Sequence, residues 1–311
     1  MNWDLFVQQL VNGLTLGSVY ALIALGYTMV YGILKLLNFA HGEVYMMGAF
    51  AGYGVLTVLG GPIAPLSAPV LVVILAMFAA GMLASGALGV VIERFAYRPL
   101  RNAPRIAPLI SALGVAFFLQ ATAQLLFGAE RRSYETYEYI DLASGIHWGP
   151  LDISIVRIAV ILTSLGLMVG LTLLVAKTRL GKAMRATAYD REAAAMQGID
   201  VDRVIVATFF IGSVLAGAAG VMVGLVFYNV FHLMGFIAGL KGFTAAVVGG
   251  IGSIPGAMVG GLVIGLAEAF FTGYVPGSFT PFVDVFVFSL LILLLLVRPS
   301  GLLGKADIQK V

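Results

Sequence analysis

Long apolar segments separated by short polar ones make up most of the chain. Nine segments carry at most one charged residue each: residues 5–34, 44–59, 66–92, 106–127, 153–176, 204–231, 236–251, 255–271 and 282–297. Five of them exceed the roughly 20 residues that an α-helix needs to cross a bilayer. The pattern therefore predicts an all-α polytopic membrane protein with about eight to nine transmembrane or half-spanning helices, in a single domain over residues 1–311.

Two of these segments are short and rich in glycine. Residues 44–59 and 236–251 hold 16 residues each. Such segments are typical of broken or re-entrant helices, which a membrane protein tolerates only where they pack inside protein or line a cavity. Residues 42–49 and 249–261 also share a weak glycine pattern, and a pair of broken helices is what an inverted repeat would produce.

Composition excludes a soluble globule. The chain is 60% hydrophobic and 11% charged, whereas soluble domains carry about 25% charged residues. The alternating segments of a β-barrel are missing, and the 39 glycines suit close packing of membrane helices. The sequence has no cysteine, which excludes thiolate metal sites, and we expect no metal. The first apolar segment lacks a cleavage signal, so we expect a retained span.

Basic residues in the short polar loops predict the orientation. Residues 93–105 hold four arginines and one acid, whereas residues 128–152 hold five acids and two arginines. Nine alternating segments with an external N-terminus and a cytoplasmic C-terminus place 14 of the 18 basic residues inside. The external loop 128–152 carries Tyr134, Tyr137, Tyr139 and Trp148. These aromatics favour anchoring at the membrane interface, with a lid or docking surface as the alternative.

Residues 177–203, hereafter the island, are the most polar part of the chain. They carry ten charged side chains, six of them basic, so the island is predicted to be cytoplasmic. Thr178 and Asp190 are suited to cap two short helices, residues 179–188 and 191–197, and Gly198 to end the second. Ala193, Ala194 and Met196 would give that helix a small apolar surface. A solvated loop is one interpretation, and a contact for a partner protein is the other.

Several motifs connect the chain to a known family. Glu192-Ala193-Ala194 followed by Gly198 resembles the cytoplasmic EAA-type loop of permeases in ATP-binding cassette (ABC) importers. Residues 37–43 (LNFAHGE) and 243–261 (FTAAVVGGIGSIPGAMVGG), with RLGKAMRA and VRPSGLLG, resemble the signatures of high-affinity branched-chain amino acid permeases over essentially the whole chain. Urea and amide permeases share much of this pattern, so they remain the alternative.

The resemblance implies a type II-like importer permease fold in a bacterial inner membrane. It also implies a sister permease in a heterodimer, two cytoplasmic ATPases that hydrolyse ATP, an external solute-binding protein and an amino-acid substrate. No cofactor is expected in this chain. The residues that match the ATPase contact are Arg179, Gly181, Lys182, Arg185, Asp190, Glu192, Ala193, Ala194 and Gly198.

A second group of residues is a candidate for the translocation pathway: Asn38, His41, Glu43, Thr244, Ser253 and Glu268. Asn38 is suited to cap a helix whose positive end faces the pathway. The alternative is a surface turn at the cytoplasmic face. Ser253 with Pro255 predicts a turn between two half-helices, and Glu268 lies deepest in its segment. Lys241 and Asp284 lie near predicted external ends, where snorkelling would explain them.

The motifs of catalysis are missing from the sequence. Gly181-Lys182 and Gly304-Lys305 are each followed by alanine and lack the upstream glycine of a phosphate-binding loop. Serine-hydrolase and zinc-protease motifs are also missing. The sequence therefore favours a transport subunit over an enzyme. A self-sufficient secondary transporter is the remaining alternative, and transport by the chain alone would distinguish it.

Overall fold

The computed structural model describes residues 3–59, 69–104, 106–134, 145–148 and 151–304. Its helices are α1 (Trp3–Leu34), α2 (His41–Val58), α3 (Val70–Ile92), α4 (Ile106–Phe127), α5 (Ile155–Lys177), α6 (Arg179–Tyr189), α7 (Arg191–Met196), α8 (Val201–Phe227), α9 (Met234–Gly249), α10 (Ile254–Tyr274) and α11 (Val283–Val297). A π-helical turn, Glu93–Tyr97, and a 3-10 turn, Arg98–Leu100, follow α3, and the 3-10 turn Gly277–Phe282 precedes α11.

Four short strands lie between the helices. Strand β1 (Arg132–Ser133) pairs antiparallel with β4 (Asn229–Val230), and β2 (Gly145–Trp148) pairs antiparallel with β3 (Leu151–Ser154). Seven helical stretches within the described residues are long and apolar enough to cross a membrane, and α9 is apolar but shorter. The predicted all-α polytopic fold is confirmed.

Helix α1 forms the centre of the molecule. It packs most extensively on α10 and also contacts α5, α8 and α9. Glycines permit this approach: a Cβ at Gly17 would lie 2.8 Å from the Leu262 Cα, and one at Gly13 would lie 2.8 Å from the Leu266 Cα. Membrane helices associate through such close packing because lipid offers no hydrophobic driving force between them.

The helix contacts follow an inverted repeat of α1–α4 and α8–α11. Helix α1 packs on α10 as α8 packs on α3, and α2 contacts α8 as α9 contacts α1. The pair α2 and α4 likewise corresponds to the pair α9 and α11. These contacts relate α2 to α9 in the two halves of the molecule. The match of α2 with the glycine-rich turn of residues 249–261 was wrong, because that turn leads into α10.

Helix α2 begins inside the protein. The His41 ring lies 5.0 Å from the Tyr27 ring, and Tyr27 precedes the end of α1 by seven residues, about 10 Å along the helix. Gly42 meets α9 there, since a Cβ on it would lie 2.8 Å from the Gly239 Cα. The starts of α2 and α9 therefore meet in the interior, as the broken-helix interpretation of both short segments predicts.

The surface-turn interpretation of residues 38–43 is therefore wrong. Asn38, His41 and Glu43 are only 2%, 1% and 1% exposed. The predicted cap is also wrong: Ala40 is the N-cap of α2 and makes no side-chain cap bond. Asn38 instead accepts a hydrogen bond at Oδ1 from the Tyr97 hydroxyl, at 3.2 Å.

The prediction that the loop aromatics are interfacial anchors is wrong for Tyr134. Its side chain is fully buried, and its hydroxyl donates to the Ala49 carbonyl at 2.5 Å. It fills the space that Gly52 and Gly224 leave between α2 and α8. Tyr137, Tyr139 and the side chain of Trp148 lie outside the described residues, as do Arg105, Lys305 and Lys310.

Candidate coupling surface

The island folds into the two predicted short helices. The Thr178 hydroxyl accepts from the Gly181 N–H at 3.0 Å and caps α6. Asp190 Oδ1 accepts from the N–H groups of Glu192 and Ala193 at 2.9 and 3.0 Å and caps α7. Gly198 has a φ of +80°, a left-handed conformation that glycine adopts without strain. Both caps and the glycine stop are confirmed. They were predictable because each depends only on neighbouring residues in the sequence.

Three contacts hold the island against the membrane helices. At Gly181, α6 passes so close to the end of α5 that a Cβ would collide with the carbonyl oxygens of Leu174 and Val175. Arg185 donates to the Val175 carbonyl. Arg191 donates through two nitrogens to the Ile33 carbonyl, at 3.2 and 2.7 Å. The island is therefore attached to the ends of α1 and α5.

An ion-pair cluster attaches the start of α8 to the end of α3. Asp202 accepts from Arg98 and Arg101, and Arg101 also pairs with Glu93. The Glu93 side chain is fully buried in the π-helical turn. Burial and the nearby charge of Arg101 lower the pKa of Arg191, which stays charged as arginines do. Sequence reasoning used these arginines only to predict the membrane orientation and missed the ion-pair cluster. The sequence feature that pointed to the cluster was the single acid in an arginine-rich loop.

Part of the island exposes large side chains to solvent. Tyr189 is 94% exposed and Met196 is 80% exposed. Glu192 and Ala193 are exposed between them. We name Tyr189, Glu192, Ala193 and Met196 the coupling surface. These exposed side chains make the island a candidate site of protein contact.

The residues predicted to contact an ATPase fall into two groups. Seven are exposed: Arg179, Lys182, Arg185, Asp190, Glu192, Ala193 and Gly198. The other two, Gly181 and Ala194, are buried. The predicted apolar surface of α7 is thus wrong in one member, because Ala194 faces the protein body. Tyr189 was missed, although a tyrosine beside a charged cap residue was a visible signal.

The island borders a large cavity at the same end of α1. Its volume is about 840 Å³, and its walls come from the end of α1, from α6, from the turn between α9 and α10, and from residues 299–304. Ser253 lines it and caps α10, accepting from the Gly256 N–H at 3.2 Å. Gly250 and Gly252 have positive φ angles of +106° and +92°. The predicted turn is confirmed, but α10 is long enough to cross a membrane and is therefore not a half-helix.

The remaining pathway candidates lie deeper. Thr244 is 1% exposed on α9. Glu268 on α10 accepts from Lys241 at 2.7 Å and from the Tyr20 hydroxyl at 3.0 Å. Lys241 also pairs with Asp284 at 2.8 Å. The snorkelling interpretation is wrong for Lys241, which is 6% exposed. Three charges that are scattered along the sequence converge because α9, α10 and α11 pack together.

Comparison with known proteins decides the family. The model of the family described as branched-chain amino acid transport system, permease component, matches residues 9–296. The chain belongs to this family. Among its relatives are the high-affinity branched-chain amino acid transport system permease proteins BraD of Pseudomonas aeruginosa and LivH of Escherichia coli strain K12. Each is 45% identical to this permease, over 98% of both chains.

A more distant relative matches over nearly the same length. The probable branched-chain amino acid transport permease protein LivH of Methanocaldococcus jannaschii is 30% identical over 97% of this permease and 94% of its own chain. No solved structure matches significantly. Family membership and the seven apolar spans make the chain a multi-pass permease component of a transport system.

Proposed function

We propose that this permease is a membrane subunit of a binding-protein-dependent ABC importer that moves branched-chain or related neutral amino acids into the cell. The observation that carries the proposal is the exposed coupling surface on an island that hydrogen bonds attach to α1 and α5. The names of the relatives, which are branched-chain amino acid permeases, support the substrate class. The inner membrane of a bacterium, with the island and the C-terminus cytoplasmic, is the proposed location.

The proposed partners follow from the same surface. Two ATPases would each receive the island of one permease in a groove, in the way that short helices bind partner grooves. A sister permease and an external solute-binding protein would complete the assembly. The faces of α3, α4, α5 and α11 carry exposed apolar side chains, such as Leu71, Phe118, Leu162 and Leu296, and these would contact lipid or the sister subunit.

The proposed mechanism is alternating access driven by the ATPases. Closure of the ATPases on ATP would move the island as a rigid lever. Arg191 would carry this movement to the end of α1, because it binds the Ile33 carbonyl. Asp202 would carry it to α3 through Arg101 and Glu93. Helices α1 and α8 are central to the two repeats, so their displacement would open one end and close the other.

Purification and transport together test the proposal. We expect affinity purification from the native membrane to bring down two ATPases, a sister permease and an external binding protein. The purified assembly in proteoliposomes should accumulate leucine, isoleucine or valine only with ATP. Uptake by this chain alone, without ATPases, would identify a secondary transporter. ATP-driven uptake of urea or amides in place of amino acids would identify the other branch of the superfamily.

A further inference from the structure

A second cavity lies at the opposite end of α1 from the island. Its volume is about 500 Å³, and α1, α8, α9 and α10 form its walls. Gln9 and Asn12 of α1 line it, whereas Ile33, near the other end of that helix, binds the island. Small-molecule sites in proteins enclose about 300–1,000 Å³. The cavity is therefore large enough for an amino acid.

Opposite charges lie side by side in the wall of this cavity. Lys241 and Glu268 both line it, with Lys241 Nζ 2.7 Å from Glu268 Oε1. Their side chains are 8% and 12% exposed. Tyr20 donates to the second carboxylate oxygen, at 3.0 Å, and Asp284 holds Lys241 at 2.8 Å. The wall thus presents a positive and a negative group on neighbouring atoms, both fixed by further partners.

Stability alone does not explain this ion pair. Removing two charges from water costs about as much as their attraction returns, and apolar residues of similar size are often as stable. Ionisable groups inside a membrane protein are accordingly rare and tend to be functional. The rest of the cavity wall is mostly apolar, with branched side chains at Val19, Val223, Val226 and Ile237.

We propose that this cavity binds an α-amino acid, with its carboxylate against Lys241, its ammonium group against Glu268 and its branched side chain against the valines and Ile237. A zwitterion carries adjacent opposite charges, so its carboxylate can pair with Lys241 while its ammonium group pairs with Glu268. The inference rests on the proposed function and places a substrate site inside this subunit.

Arg157 gives the cavity a separate positive group nearer the start of α1. It lines the cavity and donates to Asn12 Oδ1. Asn12 precedes Tyr20 by eight residues, about 12 Å along α1. A single amino acid head group does not reach both positions at once. In this proposal, Arg157 attracts the carboxylate of an amino acid that enters the cavity, and the Lys241–Glu268 pair holds the amino acid once it is bound.

Protection of one introduced cysteine tests the site directly. The chain has no cysteine of its own, so Val226→Cys places a single thiol in the cavity wall. The label is a membrane-permeant maleimide, applied to native-membrane vesicles that contain the permeases and ATPases and have been washed free of external binding protein. L-Leucine at about nine times its Kd should slow labelling about tenfold, by the factor 1 + [L]/Kd.

The chemistry of the head group provides the specificity control. 4-Methylpentanoate lacks the ammonium group and leucine amide lacks the carboxylate, so neither should protect Val226→Cys at the same concentration. Ser278→Cys, an exposed position in the turn before α11, should be labelled at the same rate with and without leucine.

Two charge variants complete the test. In the Val226→Cys background, Glu268→Gln should abolish protection by leucine. The double variant Lys241→Met and Glu268→Leu should also abolish it, and it avoids an unpaired buried charge if Glu268→Gln inserts poorly. Protection that survives in the double variant would overturn the assignment.

The outcomes separate this inference from the proposed function. An unprotected Val226→Cys in an assembly that still imports leucine with ATP would overturn the site and leave the importer intact. Protection without any ATP-driven uptake would support the site and overturn the importer.

Discussion

The close contact at Gly181 gives a prediction for a single residue. A Cβ there would collide with two backbone carbonyls, those of Leu174 and Val175, and no rotation of a side chain relieves a collision with backbone. We expect Gly181→Ala to push α6 away from α5, in the way that overpacking displaces a backbone, and to reduce amino acid uptake per inserted molecule. Uptake by cells, divided by the amount of permease in the membrane, measures this effect.

The matched control is Gly170→Ala on α5. A Cβ at Gly170 meets no atom within 4 Å, and alanine is favoured over glycine in a helix by about 1 kcal/mol. This variant should insert and transport normally. Equal uptake by the two variants would show that the α5–α6 contact is unimportant for transport.

Arg101 is a second residue whose replacement should have a large effect. Arg101→Ala leaves the Glu93 carboxylate buried without its partner, since the Glu93 side chain is fully buried. Breaking a buried pair in this way costs about 3–5 kcal/mol. We expect a clear drop in the unfolding temperature of the detergent-purified protein.

Arg203→Ala is the comparison for that variant. Arg203 pairs with Asp200 at 2.8 Å, but its side chain is 88% exposed. Exposed pairs contribute about 0–1 kcal/mol, so the unfolding temperature should hardly change. Similar losses in both variants would contradict the structural role of the buried cluster.

At the scale of elements, the coupling surface is the part whose chemistry is easiest to change. Glu192 is exposed on α7, and its backbone N–H, not its side chain, takes part in the cap. Glu192→Lys therefore keeps the helix but reverses a charge that would face the ATPase. We expect more ATP hydrolysed per leucine imported, measured in proteoliposomes that contain the whole assembly, with the amount of inserted permease unchanged.

Glu130→Lys provides the control for charge reversal. Glu130 is also exposed, but it follows α4 at the other end of the molecule. A change at that end would alter binding-protein docking and so change uptake and hydrolysis together, leaving their ratio constant. An unchanged ratio for Glu192→Lys as well would argue against the island as the ATPase contact.

Sequence reasoning succeeded for elements whose determinants are local. Thr178, Asp190 and Gly198 define α6 and α7 through bonds within a few residues, so their pattern is readable. It failed for the start of α2, because buried polar residues such as Glu43 look like a surface loop until α9 is placed against them. The Lys241–Glu268–Asp284 cluster was equally hidden, since three separate helices supply it.

At the scale of the whole molecule, the two repeats differ where they correspond. Lys241 is the eighth residue of α9, and Gly48 is the eighth residue of α2. Lys241 meets Tyr20 and Glu268, whereas Gly48 meets Gly217 so closely that a Cβ would lie 2.5 Å from the Gly217 Cα. Small residues thus let the helices pack closely in one half of the molecule, whereas the other half contains a charged cluster and a cavity. The two halves therefore differ in chemistry at corresponding positions.

The orientation of the chain in the membrane is directly testable. Met196 lies on the coupling surface, whereas Ser278 lies in the turn between α10 and α11, one membrane span away from the turn that borders the island. Because the chain has no cysteine, Met196→Cys and Ser278→Cys each supply one thiol for a membrane-impermeant maleimide. We expect Ser278→Cys to react in intact cells and Met196→Cys to react only in inverted vesicles. The reverse result would place the island outside the cell, away from ATP, and an ATPase could then not be its partner.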